Sequence, residues 1–129
     1  MGEVVYRIQD GAGRGPYRPG TSHLWTDDDH WRNPPFYTEL GWQSAEISTK
    51  FKHGENGGCG FRSIEQLNRW FSPAEQRKLA ERGYVIVQMT ADRIVAETRT
   101  QVVFARKRPL WTGAVILPWD HMVPIANEN

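Results

Sequence analysis

The chain holds one cysteine, Cys59, in 129 residues. No disulfide can form within it. A zinc site made of thiolates alone is excluded as well, because it needs several cysteines. Long apolar runs are missing: none approaches the roughly 20 residues that span a bilayer. The opening "MGEVVYRIQD" lacks the pattern of a signal peptide, and Tyr6 stands where a myristoylation motif takes Ser or Thr. A reducing, cytoplasmic setting without membrane attachment is expected. An excess of one charge is also lacking. Lys and Arg number 16 and Asp and Glu 15, for a net charge of +1. That balance excludes a general electrostatic grip on nucleic acid or anionic lipid and leaves only local patches.

What is present fits one domain over residues 1–129. Hydrophobic residues make up 39% and charged residues 24%, ordinary values for a globular chain with a real core. Six tryptophans are many for this length. Most read as core. Trp25, Trp31 and Trp42 lie in polar, turn-rich sequence and fit the wall of a ligand groove or a partner surface.

"VVYRI" (4–8) reads as a strand, with Val4, Tyr6 and Ile8 on one face and Val5 and Arg7 on the other. From Gln9 to Gly60 turn signals dominate, with a short strand or helix expected within 37–51. "SIEQLNRWF" (63–71) reads as a helix capped by Ser63, with Gln66 completing a capping box. "SPAEQRKLAERG" (72–83) opens on a second box, Ser72 with Glu75, and stops at Gly83. Strands follow at 84–89, 94–98, 101–106 and 114–119. Runs of strands around a helix pair indicate an α+β domain with a mostly antiparallel sheet and a long irregular N-terminal loop region.

Four stretches could carry chemistry. "GAGRGPYRPG" (11–20) places Arg14 and Arg18 among glycines and prolines just after Arg7. Guanidinium forks match phosphates, and glycines let backbone approach a ligand. The spacing is neither a P-loop nor a dinucleotide fingerprint, since Pro16 replaces the third glycine. "SHLWTDDDH" offers His23, Asp27, Asp28, Asp29 and His30 as donors for a divalent metal, without a known metal motif. No metal is expected from it; three consecutive aspartates more commonly form a solvated loop. "HGENGGCGF" (53–61) reads as a mobile loop or tight turn, in which a His53–Cys59 pair is less expected than a buried cysteine beside Phe61. "ETRTQVVF" (97–104) brackets a strand entry with Glu97 and Gln101. Glu97 reads either as a ribose ligand or as an exposed acid paired with Arg93 or Arg99.

The order of these features resembles the ADP-ribosyltransferase superfamily. "VVYRI" with Arg7 is similar to its arginine-bearing first strand, and "GFRSIEQLNRWF" with Ser63 to its serine motif leading into a helix. "YVIVQMTADRIVAETRTQVVF" is similar to its later strand pair. The resemblance implies a split sheet with NAD held between two small sheets. Tyr6, Arg7 and Ser63 would contact the dinucleotide, with Arg14 and Arg18 on its phosphates or on the acceptor. The family's glutamate falls on Gln101, which cannot offer a negative charge to a developing oxocarbenium ion. Either Glu97 takes that role, or the chain binds its ligand with little transferase activity. Two other classes stay open. One is a small non-enzymatic accessory or inhibitor protein of the phage type that docks on a protein partner. The other is a metal-dependent hydrolase using the His23–His30 stretch.

Overall fold

The computed structural model describes residues 2–17, 22–27, 46–47 and 49–119. The segment expected to form an element within 37–51 lies mostly outside them. Strand β1 (Glu3–Gln9) leads through a 3-10 turn (Ser22–Leu24) to β2 (Asn56–Gly60). Helices α1 (Ile64–Trp70) and α2 (Pro73–Glu81) come next. Strands β3 (Val85–Ala91), β4 (Arg93–Glu97), β5 (Val102–Arg106) and β6 (Val115–Leu117) complete the order. The architecture is α+β, with two antiparallel three-stranded sheets, β1-β3-β6 and β2-β5-β4.

The sheet is split in two. End strands β1 and β2 come together at an isolated bridge, Tyr6 with Phe61, the residue after β2. Each amide of that pair donates to the other's carbonyl at 2.8 Å. On either side of this seam the ladders are regular. Register in the first sheet pairs Arg7 with Val87, and in the second Gly58 with Phe104.

The reading of 53–61 as a loop or tight turn holds at His53–Gly54, where Gly54 has a φ of 84°, and strand β2 corrects it from Asn56 on. Its glycines do not mark a turn; they mark crowding. A β-carbon on Gly57 would stand 2.2 Å from the Phe51 ring, and one on Gly58 would stand 1.9 Å from Arg7 Nη1. Neighbouring side chains fill the space that residues in β2 would otherwise occupy. Cys59 is exposed on this strand, against the expectation of burial.

Both helix starts form where the sequence places them. Ser72 Oγ accepts from the Glu75 amide, and the Glu75 carboxylate accepts from the Ser72 amide, so the second box is complete. Ser63 Oγ accepts from the Gln66 amide. The return bond goes elsewhere, because Gln66 Oε1 takes the Arg62 amide at 2.9 Å. A cap is made there without the reciprocal box.

The two faces of the first sheet bury different material. Ile8 and Ile86 pack with Leu67, Trp70, Phe71 and Leu79 from the helices, together with Trp25 and Phe61. Val5, Val87 and Met89 on the other face pack with Val102 and Phe104 of the second sheet. Burying each such side chain contributes about 1.5–3 kcal/mol. Trp25 is 1% exposed, so it is core and not the groove wall expected of it. Trp31 and Trp42 lie outside the described residues.

Candidate functional site

Arg7 is the cation at the seam. Alternation along β1 puts it on the face of Val5 and Gln9, between the two sheets. It is 5% exposed. Nη1 donates to the Cys59 carbonyl and Nη2 to the Gly13 carbonyl, each at 3.2 Å. The guanidinium carbon lies 5.7 Å from the centre of the Phe104 ring. Nε is buried and has no partner among the described residues. Burial lowers the Arg7 guanidinium to about 10, against weaker opposing pulls from Cys59 and Asp10. A buried cation held by neutral carbonyls is incompletely compensated, and an anionic oxygen would bind it more strongly than a carbonyl does.

Gln9, two positions along the same face, is equally buried. Its Nε2 donates to the Leu110 carbonyl at 3.1 Å, while Oε1 has no partner among the described residues. Gly13 and Leu110 also touch. A β-carbon on Gly13 would lie 2.9 Å from Leu110 Cβ and 3.4 Å from Trp111 Cε3. Adjacent side chains of β1 therefore clamp two loops that rest on each other. The second loop has its own buried guanidinium. Arg106 donates to the carbonyls of Thr90, Arg108, Pro109 and Thr112. Nothing in the composition singles out Arg106; only its place at the end of a strongly apolar strand hinted at burial.

Backbone pairing sets the other expected residues close in the chain to the same junction. Tyr6 pairs with Phe61, and Gly60 with Val102. Arg7, Ser63 and Gln101 thus lie within two residues of three paired positions. A β-carbon on Gly60 would lie 3.7 Å from Arg7 Cβ. Tyr6 is half-buried and packs against the helix-side core. The Ser63 hydroxyl serves as the helix cap. Gln101 is buried, and its backbone amide donates to Thr98 Oγ1 at 3.2 Å.

Glu97 is held by an arginine that sequence reasoning did not name. Arg62 Nε and Nη2 donate to its two oxygens at 3.1 and 2.9 Å, and Nη1 reaches Glu3 at 2.7 Å. The Arg62 hydrogen bonds keep Glu97 below the usual carboxylate range. Neither Arg93 nor Arg99 is the partner. Arg93 instead pairs with Glu55 at 2.8 Å. No sequence signal singles out Arg62, because the Tyr6–Phe61 bridge beside it is visible only in the structure.

Arg14 is engaged at the surface. Its side chain is 60% exposed and pairs with Asp10 at 3.0 Å. Arg18 lies outside the described residues, as do Asp28, Asp29 and His30. Asp27 accepts from Ser72 Oγ and lies 3.6 Å from Lys78 Nζ. Among the described residues no group of three or more His, Cys, Asp or Glu side chains is placed to hold a metal ion. Among them, too, no helix is long and apolar enough to cross a membrane.

No match is found among curated proteins or among solved structures. One protein-family model matches residues 1–113, the family described as Bacteriophage T4 Y00F protein. With that match running from β1 into the loop after β5, the chain belongs to the bacteriophage T4 Y00F protein family.

Proposed function

We propose that this phage-family protein is a small accessory domain that holds NAD or a related nucleotide at the seam between its two sheets, with weak or degenerate transferase chemistry. The observation that carries the reading is Arg7, a buried guanidinium on the strand at the seam that, among the described residues, has no carboxylate bonded to it and an unpartnered Nε. A phosphate or ribose oxygen supplies the missing acceptor. The split of the sheet supports the same reading, as do Ser63, two residues after Phe61 of the bridge, and Gln101, next to Val102, which pairs with Gly60. Calorimetric titration of NAD into the wild type and into Arg7→Ala tests it. Saturable binding that Arg7→Ala abolishes supports the site; no heat of binding at millimolar NAD overturns it.

A second reading, action through a protein partner, is favoured by a different surface. Trp111, Val115 and Ile116 are large, apolar and exposed within six residues, at the outer strand β6. Aromatic and aliphatic anchors of that kind are typical of binding hot spots. Recovery of one stoichiometric partner, lost in Trp111→Ala and indifferent to NAD, supports this reading over the first.

A further inference from the structure

Arg7 cannot meet a ligand in the arrangement observed, because the segment that follows β1 covers it. Asp10 begins that segment. Its Oδ1 accepts from the amides of Ala12 and Arg14 at 2.9 Å, and its Oδ2 from Arg14 Nε at 3.0 Å. The backbone then turns at Gly13, whose φ of 86° suits glycine and few other residues. That turn aims the Gly13 carbonyl at Arg7 Nη2. Beyond it the chain is pinned again. The Pro16 carbonyl accepts from Trp25 Nε1 at 3.2 Å, and Tyr17 Oη accepts from Trp70 Nε1 at 2.7 Å. Between the two pins lie Gly11, Gly13 and Gly15.

From this geometry we propose that Asp10–Pro16 is a strap that occupies Arg7 with the Gly13 carbonyl until an anionic ligand displaces it. The inference rests on the anion-binding reading of Arg7 given above and adds its regulation. The Gly13 oxygen stands where a phosphate oxygen would be received. Both bonds have the guanidinium as donor, but a phosphate oxygen sets a full negative charge against it where the Gly13 carbonyl sets only a dipole, so the exchange favours the anion. The Asp10 turn opposes that exchange by holding the strap closed. A ligand that binds only the open form has its apparent affinity reduced by the open fraction. The glycines let the chain lift between its pins without disturbing the aromatic core beneath Pro16.

Trypsin reads the strap directly, since Arg14 is exposed and followed by Gly15. Inorganic pyrophosphate serves as the probe, with binding followed by calorimetry and cleavage after Arg14 by mass spectrometry. In the wild type, pyrophosphate speeds that cleavage at least threefold. Asp10→Ala, a change in the loop outside the core, is cut faster without ligand and binds pyrophosphate at least threefold tighter. Arg7→Met shows neither response. If pyrophosphate binds but cleavage is unchanged or slowed, the strap is wrong and the binding reading stands. If neither the wild type nor Asp10→Ala binds pyrophosphate, both are overturned.

Discussion

Gly58 and Arg7 share one volume. A β-carbon on Gly58 would stand 1.9 Å from Arg7 Nη1 and 3.1 Å from Cζ. Gly58→Ala therefore cannot be accommodated unless the guanidinium leaves its carbonyl partners. Overpacking of this kind costs roughly 2–4 kcal/mol, because a buried cation is displaced as well. Urea denaturation measures it. The same substitution in an Arg7→Met background costs less, since the flexible thioether gives way, and a coupling of about 1–3 kcal/mol is expected between the two sites. Additive losses would show that Gly58 is glycine for some other reason.

The two helix caps differ in what else they hold. Ser72 accepts from the Glu75 amide and also donates to Asp27, tying the loop at 25–27 to α2. Among the described residues Ser63 Oγ bonds only the Gln66 amide of α1. Ser63→Ala is expected to cost about 1 kcal/mol and Ser72→Ala nearer 2 kcal/mol. Thermal or urea unfolding of the two variants gives the comparison. If Ser63 also touches a ribose, as the proposed function has it, Ser63→Ala weakens NAD binding beyond its effect on stability.

Acid should weaken the attachment of the 50–55 turn to β4. Glu55 accepts from Arg93 Nε and Nη2 and from the Lys52 amide. The Arg93 bonds, then the Lys52 amide, bring its carboxyl from an ordinary 4.5 down to about 2. A lowered carboxylate contributes stability that is full above its unfolded value and fades as pH falls through the folded one. The urea midpoint of the wild type thus exceeds that of Glu55→Gln by a constant margin above pH 5 or so. The margin shrinks as the pH drops from about 4.5 toward 2. A margin independent of pH would mean that the hydrogen bonds, and not the charge, hold this turn.

Sequence reasoning reached the helix pair and most strands because their signals are local. Ser72, Pro73 and Glu75 need only each other to begin a helix. Strand β2 was missed because its glycines are there for neighbouring side chains: Gly57 for Phe51 across the turn before the strand, and Gly58 for Arg7, far away in the chain. Composition alone reads Gly57, Gly58 and Gly60 as a turn. Trp25 was misplaced for a related reason: polar neighbours suggested exposure, yet the ring is buried against Tyr17 and Phe71. Arg7 itself was legible, since an arginine in an apolar strand must find compensation. Its compensators, two backbone carbonyls, leave no trace in side-chain identity.

The position of Gln101 separates binding from catalysis within the proposed function. It is buried at the entry to β5, beside the pairing of Gly60 with Val102. A glutamine there can hydrogen-bond a hydroxyl but gives no charge to an oxocarbenium ion. Glu97, the other carboxylate considered, is engaged by both Nε and Nη2 of Arg62. Its charge is thus already countered at the surface. Gln101→Glu should therefore raise the rate of nicotinamide release from NAD at least about tenfold, equivalent to 1.4 kcal/mol of barrier. Glu97→Gln should leave the residual rate of the wild type unchanged. Chromatographic measurement of nicotinamide, with NAD affinity taken in parallel, checks both. If Gln101→Glu binds NAD as the wild type does and releases no more nicotinamide, position 101 is not beside the anomeric carbon. If Glu97→Gln lowers the residual rate, Glu97 must leave Arg62 to act, and the chemistry moves to the β4 side of the seam.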